Sequence, residues 1–192
     1  MTVTETFIKI VIILLQMLYN YDRLLRIFFD DPATEEGFQL RELSRKLNLA
    51  PTSTKNYLKQ LKKENLVKKK TSRVNKYPLY FANRNNEEFK FLKKLNTLKI
   101  IRESKLIEYL KDALVPDAIV LFGSASRGED IKESDIDLFL QCRYKELDLK
   151  PYEKKLNRKI NVLFSKSFEK LNDELKNNLV NGIVLDGYLE AF

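Results

Sequence analysis

The chain has 192 residues, 44% of them apolar, a net charge of +8, one cysteine and no histidine. That composition argues against global disorder, leaves Cys142 without an intrachain disulfide partner, and excludes zinc–histidine sites, Ser-His-Asp triads and histidine general bases within this sequence. A single thiol is at home in a reducing cytoplasm, and any metal would be held by oxygen, which favours magnesium, manganese or calcium. The positive charge is local. Between Gln39 and Lys76 there are 12 Lys or Arg against 2 Glu, and the rest of the chain is slightly acidic. A basic block of that kind points to a polyanionic partner.

In chain order, residues 7–19, FIKIVIILLQMLY, are the most apolar run. The run is shorter than the ~20 residues a bilayer requires. It also lacks the basic flank and small-residue cleavage site of a signal peptide. It reads as a buried helix that can pair with a second copy of the chain, with no membrane involved. A second helix is expected over YDRLLRIFFDD, with Leu24, Leu25, Ile27, Phe28 and Phe29 on one face and Pro32 ending it. PATEEG is a loop. QLRELSRKLNL and then APTSTKNYLKQLKKENLV follow as two short helices. Thr52 or Ser53 is placed to cap the second, and Tyr57, Leu58 and Leu61 are placed inward.

Beyond them, Leu66 and Val67 open one strand, and the alternation of Tyr77, Leu79 and Phe81 marks another. The basic loop between them makes a β-hairpin. Two short helices joined by about four residues, then a basic hairpin, give a helix-turn-helix with a wing. The stretch LRELSRKLNLAPTSTKNYLKQLKKENLV resembles the winged-helix domains of prokaryotic transcription regulators, over residues 19–83. On that reading Thr52, Ser53, Lys55, Asn56 and Lys59 face the major groove of double-stranded DNA. Lys68, Lys69, Lys70 and Arg73 meet its phosphates.

Residues 86–114 form a long helical pattern without Gly or Pro, with a possible break at Arg102–Ser104. It reads as a spacer or dimer helix, closed by Val115-Pro116. The pattern then becomes mixed. AIVLFG is a buried strand, IDLFL a second and KINVLF a third, with a helical connection at KPYEKKLNRK. A helix stopped by Gly182 and a short strand, IVLDG, complete the chain.

The chemistry is concentrated in GSASRGEDIKESDIDLFL. Alternation along a strand puts Asp135 and Asp137 on one face and Ile136 and Leu138 on the other. Two carboxylates side by side repel each other, and with no histidine nearby they suit a divalent cation of the magnesium kind. Gly123-Ser124 follows a strand. The glycine permits close backbone approach, and the free N–H groups with the Ser124 hydroxyl suit a phosphate. Arg127 lies one helical turn on. A P-loop is excluded, because no Gly-Lys-Ser/Thr follows the glycine.

Gly123, Ser124, Arg127, Gly128, Ser134, Asp135, Asp137 and Leu138 closely resemble the signature of the DNA polymerase β-type nucleotidyltransferases in their minimal form. The resemblance spans residues 117–192. It implies transfer of a nucleoside monophosphate from a nucleoside triphosphate to a hydroxyl, with pyrophosphate leaving. It also implies magnesium on the aspartates, with Gly123, Ser124, Arg127 and Ser134 around the triphosphate. Where the family has a third carboxylate this sequence has Asn161, which puts catalysis in question but not the fold. Asp186, on the last strand, is a weak substitute. Minimal nucleotidyltransferases often work with a small helical partner protein, so an antitoxin-like role is a further implication.

The expected fold class is α+β. A short apolar helix occupies 1–18, a winged helix 19–83 and a long linking helix 84–115. A small α/β nucleotidyltransferase domain with a mixed sheet occupies 116–192. The functions to be separated are a magnesium-dependent nucleotidyltransferase that binds DNA, and a homodimeric DNA-binding regulator whose second domain binds nucleotide or a partner without turnover.

Overall fold

The computed structural model describes residues 3–30, 37–72 and 76–191. The chain divides into two compact units, residues 1–86 and 87–192.

The first unit opens on one helix, α1 (Val3–Asp30), where the sequence suggests two. Nothing at Tyr19-Asn20-Tyr21 breaks a helix, so the two apolar runs join. The second run behaves as expected, with Leu24, Leu25, Phe28 and Phe29 in the core. The first does not. Ile8, Ile10 to Leu15, Met17, Leu18 and Tyr19 are exposed, so the expectation of a buried helix is corrected for this unit. Pro32 lies outside the described residues.

A two-residue strand, β1 (Phe38–Gln39), precedes helix α2 (Leu40–Leu47), and Asn48 closes α2 in the left-handed conformation. Helix α3 (Pro51–Lys63) places Pro51 in its first turn. Its cap is Ala50, so neither Thr52 nor Ser53 caps it. Thr54 is buried and its hydroxyl donates to the Ala50 carbonyl. The hairpin of β2 (Val67–Thr71) and β3 (Pro78–Ala82) is present, in the register Lys69 opposite Tyr80. The unforeseen β1 pairs with β3, giving a three-stranded antiparallel sheet in the order β1-β3-β2. Asn83 closes the hairpin's base, its Nδ2 donating to the Asn65 carbonyl at 2.8 Å.

In the second unit the long helical pattern is two helices, α4 (Glu87–Ser104) and α5 (Leu106–Leu114). The break is at Lys105, in the left-handed conformation with φ +68°. The Ser104 hydroxyl donates to the Ile101 carbonyl and accepts from Leu106 N–H, capping the junction from both sides. The sequence suggests a spacer or dimer helix linking two domains here. Instead α4 and α5 belong to this unit, and Ile101, Leu106 and Leu110 are part of its core.

The sheet is mixed, in the order β6-β5-β4-β7, and is built from β4 (Ala118–Phe122), β5 (Ile136–Leu140), β6 (Ile160–Phe164) and β7 (Ile183–Gly187). β5 runs antiparallel to β4 and parallel to β6, and β7 runs antiparallel to β4. Helices α6 (Gly123–Arg127), α7 (Lys150–Leu156) and α8 (Asp173–Val180) connect them. The period-2 rule sorts the core. Ile119, Leu121, Ile136, Leu138, Leu140 and Ile160 pack on the face of α4 and α5. Ala118, Val120 and Phe139 pack on the other face with Phe168 and Leu179. Asp137 and Asn161 alternate onto this second face.

Candidate functional site

Antiparallel pairing sets Asp137 opposite Phe122, the last residue of β4, and parallel pairing sets it beside Asn161 of β6. Asp135 lies just before β5, on the same face. The cluster forms at the end of the sheet where β4 turns directly into α6. Asn161 Nδ2 donates to Asp135 Oδ2 at 3.0 Å and to Asp137 Oδ1 at 3.2 Å. Two carboxylate oxygens thus converge on one point, and the amide N–H₂ occupies it. The positive group between the aspartates is, in this structure, the dipole of Asn161.

Gly123 makes the corner possible. Its φ is +72°, and a Cβ built there would lie 2.5 Å from Asp137 Oδ2. Only a residue without a side chain lets the first turn of α6 come this close to the carboxylate. No side chain caps α6. Ser124 sits in its open first turn, and Ser126 is tied down, donating to the Gly123 carbonyl at 2.9 Å. The backbone N–H groups of this turn and the two carboxylates therefore share one corner.

Two predicted phosphate contacts are engaged elsewhere. Arg127 Nε donates to Glu129 Oε2 at 2.9 Å, and Lys90 meets the same carboxylate at 3.3 Å. Hydrogen bonds from Arg127 and Lys90 hold the Glu129 carboxyl below the usual range. The Ser134 hydroxyl accepts from Ile131 N–H at 2.9 Å, so it closes the loop before β5. Asp186 is ruled out as a third ligand. It pairs with Ile119, toward the far end of β4, and its Oδ1 accepts from Lys111 Nζ at 2.7 Å. Asp148 is held in its own turn by a hydrogen bond from Lys150 N–H.

Two features were not legible in the sequence. Gly128 has φ +70°, and a Cβ there would collide with the Lys90 carbonyl, so helix α4 packs on the backbone at the end of α6. Buried under the loop before β5 are Lys93, Asp130 and Arg158, from three separate segments. Only their spatial meeting marks them.

A cation at the Asp135–Asp137 corner is compatible with the donor set. Among the described residues no group of three or more His, Cys, Asp or Glu is suited to a metal. Two converging carboxylates with the Asn161 amide oxygen, brought in by rotating the amide, would still give three oxygen donors of the kind magnesium takes.

In the first unit, Thr52, Lys55, Asn56 and Lys59 recur at helical spacing on the exposed side of α3. With Lys62 they line a cleft closed by Lys69 and Tyr80 of the hairpin. Ser53 is half-buried beside them. The three hairpin lysines do not act as one row. Strand alternation turns Lys69 toward α3, while Lys68 and Lys70 face the other side, where Lys70 Nζ lies 5.1 Å from the Phe81 ring centre. Arg73 lies outside the described residues.

Residues 104–187 match the family model described as polymerase beta, nucleotidyltransferase. The match runs from the end of α4 through β7 and takes in every strand of the mixed sheet and the whole carboxylate corner. It supports a nucleotidyltransferase-type domain of the polymerase β superfamily in this segment. It does not extend to the first unit. No curated protein matches the chain.

Proposed function

We propose that the second unit binds a nucleoside triphosphate with magnesium at Asp135, Asp137 and Asn161, and is built to transfer its nucleoside monophosphate to a hydroxyl. We further propose that the first unit is a winged helix that places this chemistry on double-stranded DNA. The observation that carries the first part is the convergence of two carboxylate oxygens beside the open first turn of α6. Gly123 lets that turn approach, its backbone N–H groups and the Ser124 hydroxyl would face the phosphates, and Asp135 and Asp137 would hold the cation. A divalent cation bound there would neutralise the triphosphate and stabilise the attacking and leaving oxygens. In the reaction the acceptor hydroxyl attacks the α-phosphorus, the bond to the bridging oxygen of the β-phosphate breaks, and pyrophosphate leaves. The hydroxyl proton would pass to solvent water. The Asn161 amide is a poor base and adds no negative charge, so transfer is slow while nucleotide binding is retained.

A second reading is a DNA-binding regulator or antitoxin-like protein whose nucleotidyltransferase-type domain binds nucleotide, or a small helical partner, without turnover. The observation favouring it is the Asn161 amide bridging both carboxylates. Calorimetry with ATP and GTP, with and without magnesium, tests the shared core of both readings. Binding should require magnesium and be lost in Asp135→Asn plus Asp137→Asn, and unchanged affinity in that variant refutes the first reading and the nucleotide-binding form of the second. Incubation with labelled triphosphate and candidate acceptors then separates slow transfer from none.

The arrangement of α1, β1, α2, α3 and the β2–β3 hairpin supports the winged-helix part, with the lysine-lined cleft as its DNA-facing surface. A homodimer through the exposed apolar half of α1 belongs to the same proposal. No described helix is long and apolar enough to cross a membrane.

A further inference from the structure

We infer that Arg158 is a positioning residue for the carboxylate corner, and that Asp130 and Lys93 exist to hold it in place. The inference rests on the nucleotide-binding reading above. Asp135 precedes β5, at the end of a polar loop, IKESD. Strand pairing fixes Asp137 but does not reach the residues before Ile136, apart from one hydrogen bond from Ile136 N–H to the Lys159 carbonyl. A loop carboxylate that must meet a strand carboxylate on one point needs its backbone fixed by something else.

Arg158 supplies that. It sits just before β6, after the left-handed Asn157 that ends α7. Its guanidinium uses three separate nitrogens. Nε donates to the Ser134 carbonyl at 2.7 Å, Nη2 to the Asp135 carbonyl at 3.3 Å, and Nη1 to Asp130 Oδ2 at 2.6 Å. Two consecutive carbonyls are gripped by one planar fork, which fixes the orientation of the Asp135 peptide and hence the direction of its side chain. Lys93 of α4 reaches the same Asp130 oxygen at 3.6 Å. The Lys93, Asp130 and Arg158 side chains are 3%, 2% and 9% exposed. Burying three charges is costly, and such a cluster is poor evidence for stability as such. It is intelligible as a specificity device, because with the Ser134–Ile131 hydrogen bonds it fixes the backbone just before β5, which strand pairing does not reach.

Geometry distinguishes this from simple charge balance. A lysine at 158 can keep a cation against Asp130, but it cannot grip both carbonyls with a rigid fork. Arg158→Lys in the full chain is therefore the informative variant. Arg158→Met, which leaves Asp130 with less compensation, serves as the harsher comparison.

Two measurements are made on wild type and Arg158→Lys. In the first, amide exchange over residues 134–137 should quicken in the variant while the β4 amides stay protected. This measurement needs no ligand. In the second, calorimetry with magnesium and ATP or GTP should show affinity about 10- to 100-fold weaker, the usual range for removing a support behind a metal ligand. Wild-type affinity in Arg158→Lys, or unchanged exchange over 134–137, overturns the inference. If the wild-type protein binds neither triphosphate, the nucleotide-binding reading fails on its own, and the exchange result still decides whether Arg158 fixes the loop.

Discussion

Asn161 is the residue at which the fold and the chemistry part company. Its amide relieves the repulsion between Asp135 and Asp137 by donating to both, and a carboxylate there would reverse that. Asn161→Asp should lower stability in chelator by about 1 kcal/mol, as two hydrogen bonds to charged acceptors are replaced by like-charge contacts. Magnesium should restore it, and melting curves with EDTA and with magnesium check this. With an acceptor supplied, the same variant should transfer at least about tenfold faster, since added negative charge at the cation strengthens the stabilisation of the reacting oxygens. Gly123→Ala tests the corner from the other side. Its Cβ would press on Asp137 Oδ2 at 2.5 Å, and a non-glycine residue at positive φ costs about 1–2 kcal/mol. Nucleotide affinity should fall sharply while the protein stays folded, as calorimetry beside a melting curve would show. Gly128→Ala should instead damage the fold, because the colliding group is the Lys90 backbone, which cannot rotate away. The sequence revealed Asp135, Asp137, Gly123 and Asn161 because strand alternation and a glycine after a strand are local rules. It did not show the partners of Arg127 and Ser134, Glu129 and Ile131 N–H, because these are chosen by the turn. Arg158 was invisible because its partners lie in other segments.

At the scale of elements, α3 and both faces of the hairpin are rich in lysine. Lys55, Lys59, Lys62 and Lys69 line a cleft with Thr52 and Asn56, and Lys68 and Lys70 are exposed on the opposite face of the hairpin. If these six lysines neutralise phosphates, log affinity for duplex DNA should fall against log salt with a slope of roughly −5. Lys69→Ala should weaken binding and reduce that slope by about 1. A flat salt response would show a solvated basic face instead. The same unit carries a titration. Tyr21 of α1 donates to Glu64, the C-cap of α3, and burial first, then that hydrogen bond and the Glu64 charge, push the phenol well above its ordinary value. The folded chain holds this proton more tightly than the unfolded one. Its stabilisation is therefore complete below about pH 10 and is lost as pH rises beyond it. Tyr21→Phe should cost about 1 kcal/mol near neutrality and flatten the alkaline fall in stability, read from denaturant melts across pH. The helices and the hairpin were legible because their apolar spacing is periodic. β1 was not, since two residues carry no periodicity and form a strand only because β3 offers an edge.

For the whole molecule, partnership is decided in the first half of α1. Burial of Leu24, Leu25, Phe28 and Phe29 anchors the helix at one end. The other end presents Ile8, Ile10 to Leu15, Met17, Leu18 and Tyr19 to solvent, with Leu18 66% exposed. In sequence this run could not be told from a core helix, because apolar content says that a surface must be covered but not by which chain. Ten apolar side chains between residues 8 and 19 are exposed, a patch of the kind that marks an interaction site. So many exposed apolar side chains on one helix fit packing against the same helix from a second copy better than they fit life in water. The protein should therefore sediment as a dimer or larger assembly at micromolar concentration. Leu15→Glu plus Leu18→Glu, one turn apart on the same side, should shift it to monomer without lowering its melting temperature by more than a few degrees, because neither side chain is in the core. The variant should also bind duplex DNA more weakly, since two basic clefts on one assembly raise the effective concentration of the second once the first is bound. A monomeric wild-type protein, or a double variant that still self-associates, would refute the pairing of α1.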